Sequence, residues 1–164
     1  EGEGSVFTFV VPVATTVESP VDEQAESGEE ETKGDEPSWK VLLVEDDPLI
    51  SDVMLELFKH RQWRTTLARN GQEALDSCED QTFDVILMDV QMPDLHGLEV
   101  TRRLRSREKQ GAPATPIIAL TAHAGKSDRE RCLEAGMDEV LTKPVKMEEL
   151  ISTIREVVEG QGGP

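Results

Sequence analysis

Asp84-Val-Ile-Leu-Met-Asp-Val-Gln-Met-Pro93 decides the fold of this chain. The run from Asp84 to Met88 is almost wholly apolar. A strand with one wet face would alternate, so this one is expected to be buried on both faces, as in a parallel sheet. A carboxylate, Asp89, stands directly at its end.

The same pattern repeats on either side. Lys40-Val-Leu-Leu-Val44 and Pro116-Ile-Ile-Ala-Leu120 are further apolar strands. Trp63 to Ala68 is a weaker strand, expected near an edge, and Met137 to Thr142 a last one. Helical patterns fill the gaps. Asp47-Pro48 pairs a cap with Pro at the first helical position. Leu49, Ile50, Val53, Met54, Leu57 and Phe58 follow at helical spacing. Asn70-Gly-Gln-Glu73 opens a short helix through Cys78. Leu98, Val100 and Leu104 mark a helix to about Arg107, before a loop at Gly111-Ala-Pro113. Ser127-Asp-Arg-Glu130 reads as a capping box for a helix that stops at Gly136. Glu148 to Val158 is the last helix.

Five β-α units in succession imply an α/β domain with a doubly wound parallel sheet over residues 38–160. Ligands of such sheets bind at the carboxyl ends of the strands, where strand order reverses. Four of those ends carry polar groups: Glu45, Asp46 and Asp47; Asp89; Thr121; and Lys143-Pro144. Asp47 reads as the helix cap. Glu45, Asp46 and Asp89 would repel one another, and a divalent cation removes the conflict. Oxygen ligands favour Mg²⁺. With a cation at Lys143 and a hydroxyl at Thr121, the set suits phosphoryl transfer, which rests on positioning and charge neutralisation. The nucleophile can be a carboxylate itself, giving an aspartyl phosphate.

Val44-Glu-Asp-Asp47, Leu87-Met-Asp-Val-Gln-Met-Pro93, Ala119-Leu-Thr-Ala122 and Leu141-Thr-Lys-Pro-Val145 together resemble the receiver domain of two-component response regulators. The resemblance implies a flavodoxin-like sheet of order 2-1-3-4-5 with five helices. It also implies that Asp89 accepts the phosphoryl group and that Glu45 and Asp46 are the metal-binding pair. The backbone carbonyl of Gln91 becomes a further Mg²⁺ ligand, Thr121 the switch hydroxyl, and Lys143 the contact to acceptor and phosphoryl oxygens. Such a domain catalyses its own phosphorylation and dephosphorylation. The Lys143-Pro144 bond matches one that is cis in the family. The fourth helix, last strand and last helix form the family's usual interaction face. One position departs: the family's switch aromatic is here Val140, and the chain has no Tyr.

The net charge of −17 argues against nucleic acid as a direct partner. Residues 1–37 hold 11 acids and one base, Lys33; residues 38–164 hold 23 acids and 16 bases. Residues 14–37, rich in Glu, Ser and Gly, are expected to be a disordered acidic linker. Gly2-Glu-Gly-Ser-Val-Phe-Thr-Phe-Val-Val-Pro-Val13 resembles the closing strand of a histidine-kinase ATP-binding domain. That resemblance implies a hybrid sensor kinase whose catalytic core lies outside this chain, with residues 1–13 as its remnant. The first residue is Glu1, so the sequence is expected to be a piece of a longer protein. Neither a spanning apolar run nor a signal peptide is present. Cys78 and Cys132 form no CxxC pair and read as reduced packing residues, consistent with the cytoplasm. His60, His96 and His123 lack ligand spacing. Arg102, Arg103, Arg105 and Arg107 read as the solvated side of a helix.

The leading expectation is a phosphoryl-accepting receiver. It would be served by a histidine kinase dimerisation domain or a separate histidine-phosphotransfer protein. Two alternatives stand beside it. A pseudo-receiver that only docks partners is suggested by Val140. An Asp-nucleophile phosphatase is opposed by Gln91, which stands where such enzymes place a second Asp as general acid.

Overall fold

The computed structural model describes residues 38–123 and 125–160; the readings made for residues 1–13 and 14–37 lie outside the described residues. Five strands, Lys40–Val44 (β1), Arg64–Ala68 (β2), Val85–Asp89 (β3), Ile117–Thr121 (β4) and Glu139–Thr142 (β5), alternate with five helices. The helices are Pro48–His60 (α1), Gly71–Asp80 (α2), Gly97–Glu108 (α3), Lys126–Ala135 (α4) and Met147–Gly160 (α5). All strand pairs are parallel, in the order β2-β1-β3-β4-β5. This is the flavodoxin-like arrangement, with its reversal of strand order between β1 and β3.

The continuous apolar runs are explained by the two-residue period of a strand. Leu42, Val44, Ile86, Met88, Ile117 and Ala119 face one core, completed by Leu75 of α2, Val100 and Leu104 of α3, and Cys132 of α4. Val41, Leu43, Val85, Leu87, Ile118 and Leu120 face the other, completed by Met54 and Phe58 of α1 and Leu150 and Ile154 of α5. Neither face of the central strands can be polar. Each such Leu or Ile contributes about 1.5–3 kcal/mol on burial. At the edge, β2 is only partly buried, which accounts for its weaker pattern.

Asp47 caps α1, its carboxylate accepting from the N–H groups of Leu49 and Ile50 at 2.8 and 3.2 Å. Asn70 caps α2 by accepting from Glu73 N at 2.9 Å, while the Glu73 carboxylate accepts from Arg69 N.

Three expectations are corrected. The capping box at Ser127 does not form: α4 begins at Lys126 and its cap position is Gly125, with no side-chain cap bond. The backbone N–H groups of Asp128 and Arg129 close on Gly125 O, which leaves Ser127 inside the first turn. The last strand starts at Glu139, because Gly136 and Met137 finish α4 instead. Gly136 adopts φ 103, a left-handed conformation that favours glycine, and Met137 N donates back to Cys132 O. The arginines of α3 also divide. Arg102 and Arg103 are exposed beside Glu99. Arg105 and Arg107 are partly buried. Arg105 donates to Gly136 O, Thr115 O, Glu108 and Asp138. Arg107 donates to Leu75 O and pairs with Glu79. Both reach across to other elements, which a local charge pattern does not reveal.

Candidate functional site

The carboxyl ends of β1, β3, β4 and β5 meet where strand order reverses. Glu45 N donates to Ala68 O at 3.0 Å, extending the sheet ladder by one residue and fixing Glu45 at the rim. Its side chain is 1% exposed. Asp46 is half-buried, and Asp47 turns the chain into α1. Asp89 ends β3, paired with Leu120 of β4, and is 5% exposed. Gly97 lets α3 start against it: a Cβ there would lie 2.4 Å from Asp89 O.

One oxygen of each of Glu45, Asp46 and Asp89 lies within 4.8 Å of the others. Lys143 Nζ donates to Glu45 Oε2 at 2.6 Å and to Asp89 Oδ2 at 3.0 Å. Asp89 Oδ1 accepts from Gln91 N at 2.9 Å. Thr121, 3% exposed, ends β4; its carbonyl accepts from Lys143 N at 2.7 Å and its hydroxyl from His123 N at 3.2 Å. The Lys143-Pro144 peptide is cis.

Three carboxylates against one ammonium leave an excess of negative charge in a largely buried place. Burial pushes the Glu45 carboxyl above its ordinary value; the bond to Lys143 opposes the shift and Asp89 adds to it. Burial alone would lower Lys143, but its hydrogen bonds to Glu45 and Asp89 outweigh that and hold the ammonium above its ordinary value. A divalent cation fits this set. Its ligands would all be oxygens, the uncompensated charge matches, and hard oxygen donors favour Mg²⁺ among common cations.

Glu45, Asp46, Asp89 and Lys143 are thus brought together, with Thr121 on the neighbouring strand end. Val140 does not join them. It pairs with Ala119 within the sheet and packs in the core that also contains Cys132 and Ala135. Arg129 donates to Val140 O at 3.2 Å and pairs with Glu139, joining α4 to β5.

The three histidines are exposed. One of them matters more than its spacing suggested: His123 Nδ1 lies 3.1 Å from Gln91 Nε2. These residues are 32 apart in sequence, and no local pattern announces the contact. Behind them a cleft of about 350 Å³ is lined by Val90, Gln91, His96, Thr121, His123 and Asp128, among others. Trp39 and Trp63 sit just before β1 and β2, at the opposite end of the strands, with ring centroids 5.0 Å apart. No helix among the described residues is long and apolar enough to cross a membrane.

Comparison with known proteins agrees with this geometry. The profile of the response regulator receiver domain matches residues 41–155. Hybrid signal transduction histidine kinase I of Dictyostelium discoideum is 40% identical over 120 residues, covering 70% of this chain but 7% of that protein. The polar-differentiation response regulator DivK of Brucella anthropi is 37% identical over 115 residues, 70% of this chain and 92% of DivK. The chain therefore spans almost all of one relative and a small part of the other. Among solved structures, the receiver domain of the sensor histidine kinase PA1611 from Pseudomonas aeruginosa PAO1 superposes with a TM-score of 0.68 at 40% identity, covering 75% of this chain and 99% of that one. That structure has a magnesium ion coordinated in its active site cleft. A co-crystal of the Saccharomyces cerevisiae histidine phosphotransfer protein Ypd1 with the receiver domain of Ssk1 gives a TM-score of 0.72 at 32% identity, covering 76% and 92%. With its sheet order, its acidic cluster and a profile match over most of its length, this chain belongs to the response regulator receiver domain family of two-component signalling.

Proposed function

We propose that this receiver takes a phosphoryl group from phosphohistidine onto Asp89 in a Mg²⁺-dependent step of a phosphorelay. The observation that carries this reading is the setting of the Asp89 carboxylate. It is held between Lys143 Nζ and Gln91 N, beside two further acids. The carboxylates of Glu45, Asp46 and Asp89, with the backbone carbonyl of Gln91, would hold the metal. Bound there, Mg²⁺ neutralises charge on the acids and the incoming phosphoryl oxygens.

The chain's own residues do the rest. A carboxylate oxygen of Asp89 forms the new bond to phosphorus. The bond from phosphorus to the donor imidazole nitrogen breaks, and that nitrogen keeps the electron pair and takes up a proton. Lys143 neutralises the charge gathering between Asp89 and the phosphoryl group, and the Thr121 hydroxyl can donate to a phosphoryl oxygen. Residue 91 presents an amide where a phosphatase would need a general acid, so the group is held for relay and not rapidly turned over.

The partner is a phosphohistidine-bearing domain, on a histidine kinase or on a separate phosphotransfer protein. The Ypd1–Ssk1 co-crystal supports that class of partner. On this chain, α1 leaves Leu49, Val53 and Leu57 exposed at 68%, 54% and 39%. Four residues apart, they form one apolar stripe running from the loop that carries the acids, which suits docking against another helix. Similarity to a hybrid kinase and to a sensor-kinase receiver supports a hybrid-kinase parent, with residues 14–37 as tether to a kinase core.

Incubation with acetyl phosphate and Mg²⁺ is expected to give an acid-stable, alkali-labile phosphoprotein that Asp89→Asn abolishes. Label that persists on the Asn variant would sink the assignment. A docking-only module is favoured by Val140 alone, and would bind no Mg²⁺ at this cluster.

A further inference from the structure

The end of the sheet away from the acidic cluster carries a group of cations. Arg61 and Gln62 turn the chain from α1 towards β2, and Gln62 holds φ 60, a conformation uncommon outside glycine. Gln62 N donates to Lys59 O at 3.0 Å, and Gln62 O accepts from Ser38 Oγ at 2.7 Å. Arg64 N donates to Trp39 O at 2.9 Å, and Arg64 stands in register with Lys40 of β1. Ser38, the first described residue, is therefore fastened among Lys40, Lys59 and Arg64.

These cations are poorly matched within the domain. Lys59 and His60, 77% and 76% exposed, share one acid, Glu56, at 3.6 and 3.5 Å. Lys40 and Arg64 are exposed and make no ion pair among the described residues. Asp84 accepts from the backbone N–H of Lys40, not from its ammonium. Two like charges directly opposite on neighbouring strands work against the pairing of those strands. In a chain of net charge −17, such a place suits an anion.

The anion is at hand in the sequence. Asp35-Glu36-Pro37 runs directly into Ser38, and residues 1–37 hold 11 acids against one base. Asp35 is three residues from Ser38, so its Cα lies within about 11 Å of that fixed point. A carboxylate and a Lys or Arg head together span such a distance. Pro37 disfavours helical backbone at Glu36, which reduces the freedom that docking must remove.

We propose that Asp35 and Glu36 dock on the cationic turn formed by Lys40, Lys59 and Arg64. The surface recognises a short acidic segment, and its occupant is the stretch of this chain that leads into β1. The two charges are then held at the amino ends of the strands, away from the place where three acids already crowd together. Nothing in this depends on the acceptor role given to Asp89. Pairs between such exposed groups are weak and screened by salt, so the effects are a few-fold and disappear at high ionic strength.

The test is digestion of the full-length chain by an endoproteinase that cleaves before Asp. Mass spectrometry follows the initial rate at the Gly34-Asp35 bond relative to that at the Val21-Asp22 bond. In low salt this ratio is expected to rise roughly three- to tenfold when Lys59→Glu and Arg64→Glu are combined, the worth of about two exposed ion pairs. Both side chains are exposed, so the fold should survive the reversal. Sodium chloride at about 1 M should raise the ratio of the unaltered protein by a similar factor, since the screening length falls to about 3 Å. Glu36→Lys alone should also raise it. Placed in the reversed background, Glu36→Lys should lower it again, because the charges are then exchanged and not lost. A ratio indifferent to the reversal or to salt would overturn the docking: the bond would be slow only because a folded domain stands next to it. So would a Glu36→Lys exchange that leaves the reversed protein fast, since a loosened turn and not a lost pair would then explain the cleavage.

Discussion

The two ends of the sheet treat their acids in opposite ways. At the amino ends each acid accepts from a strand-end backbone N–H of its own, and two of them also from Arg105. Asp84 accepts from Lys40 N at 2.7 Å. Asp138 accepts from Ile117 N at 2.7 Å and from Arg105. Glu108 accepts from Thr115 N and from Arg105. At the carboxyl ends Glu45, Asp46 and Asp89 crowd within 4.8 Å, and a single ammonium, Lys143, serves two of them. The same residue type thus closes the fold at one end and leaves it charged and receptive at the other. Substitutions should reveal this as effects of opposite sign.

The largest effect is expected at the closed end. Arg105→Ala removes bonds to two carbonyls and two acids linking α3, the start of β4 and the turn after α4. Urea unfolding should show a loss of about 3 kcal/mol, as expected when a largely buried pair loses one partner. A loss below about 1 kcal/mol would mean that these bonds only decorate the surface. Next comes the response to metal. Mg²⁺ at a hundred times its dissociation constant should raise stability by about 2.7 kcal/mol. Asp89→Asn should lose most of that gain, and in metal-free buffer it should be more stable than the unaltered protein by about 1 kcal/mol, because one repelling charge is gone. A metal-free Asn variant that is less stable would break the contrast between the two ends.

The pH dependence sharpens it further. Burial raises the folded Glu45 pKa above 4.5, so the folded state holds this proton more tightly than the unfolded one. Its contribution to metal-free stability is therefore present below 4.5 and lost as pH rises through the raised value. Mg²⁺ affinity should strengthen over that same interval as the carboxylate becomes available, and calorimetry across it would reveal an affinity flat with pH if Glu45 were not a ligand. Lys143 acts at the alkaline end: its folded pKa is raised above 10.5, so its contribution holds below 10.5 and is lost as pH climbs through the folded value. A further check concerns Cys78, beside Phe83, Ile86 and Leu104 at the closed end. Burial pushes its thiol up to about 11, against the opposing Arg107. Its reaction with a disulfide reagent at pH 8 should be about a hundredfold slower than that of an unshifted thiol. A rate equal to a free thiol's would show that this end is wetter than its packing implies.

The fold and the acidic cluster were legible because both depend on short-range pattern. Fully apolar runs such as Leu42 to Val44 declare strands with two buried faces, and an acid at the end of such a run has few purely structural reasons to be there. Asp47 was legible as a cap because Pro48 follows it. What stayed hidden involves reach between distant segments. Arg105 looks like any helix arginine until Gly136, 31 residues on, is folded against it. Gln91 and His123 are unremarkable until β3 and β4 lie side by side. The capping box at Ser127 failed for a local reason. Its sequence is suitable, but the helix starts two residues earlier than the box requires, at Lys126 with Gly125 as its cap.

On the function proposed above, the uncompensated charge at the carboxyl ends binds a metal and presents Asp89 to phosphorus. The most direct measurement treats the protein with acetyl phosphate with and without Mg²⁺, reduces any acyl phosphate with borohydride, and sequences the peptides by mass spectrometry. A single reduced residue, Asp89, is expected, appearing only when Mg²⁺ is present. Reduction at another acid, or at Asp89 to the same extent in chelator, would contradict it.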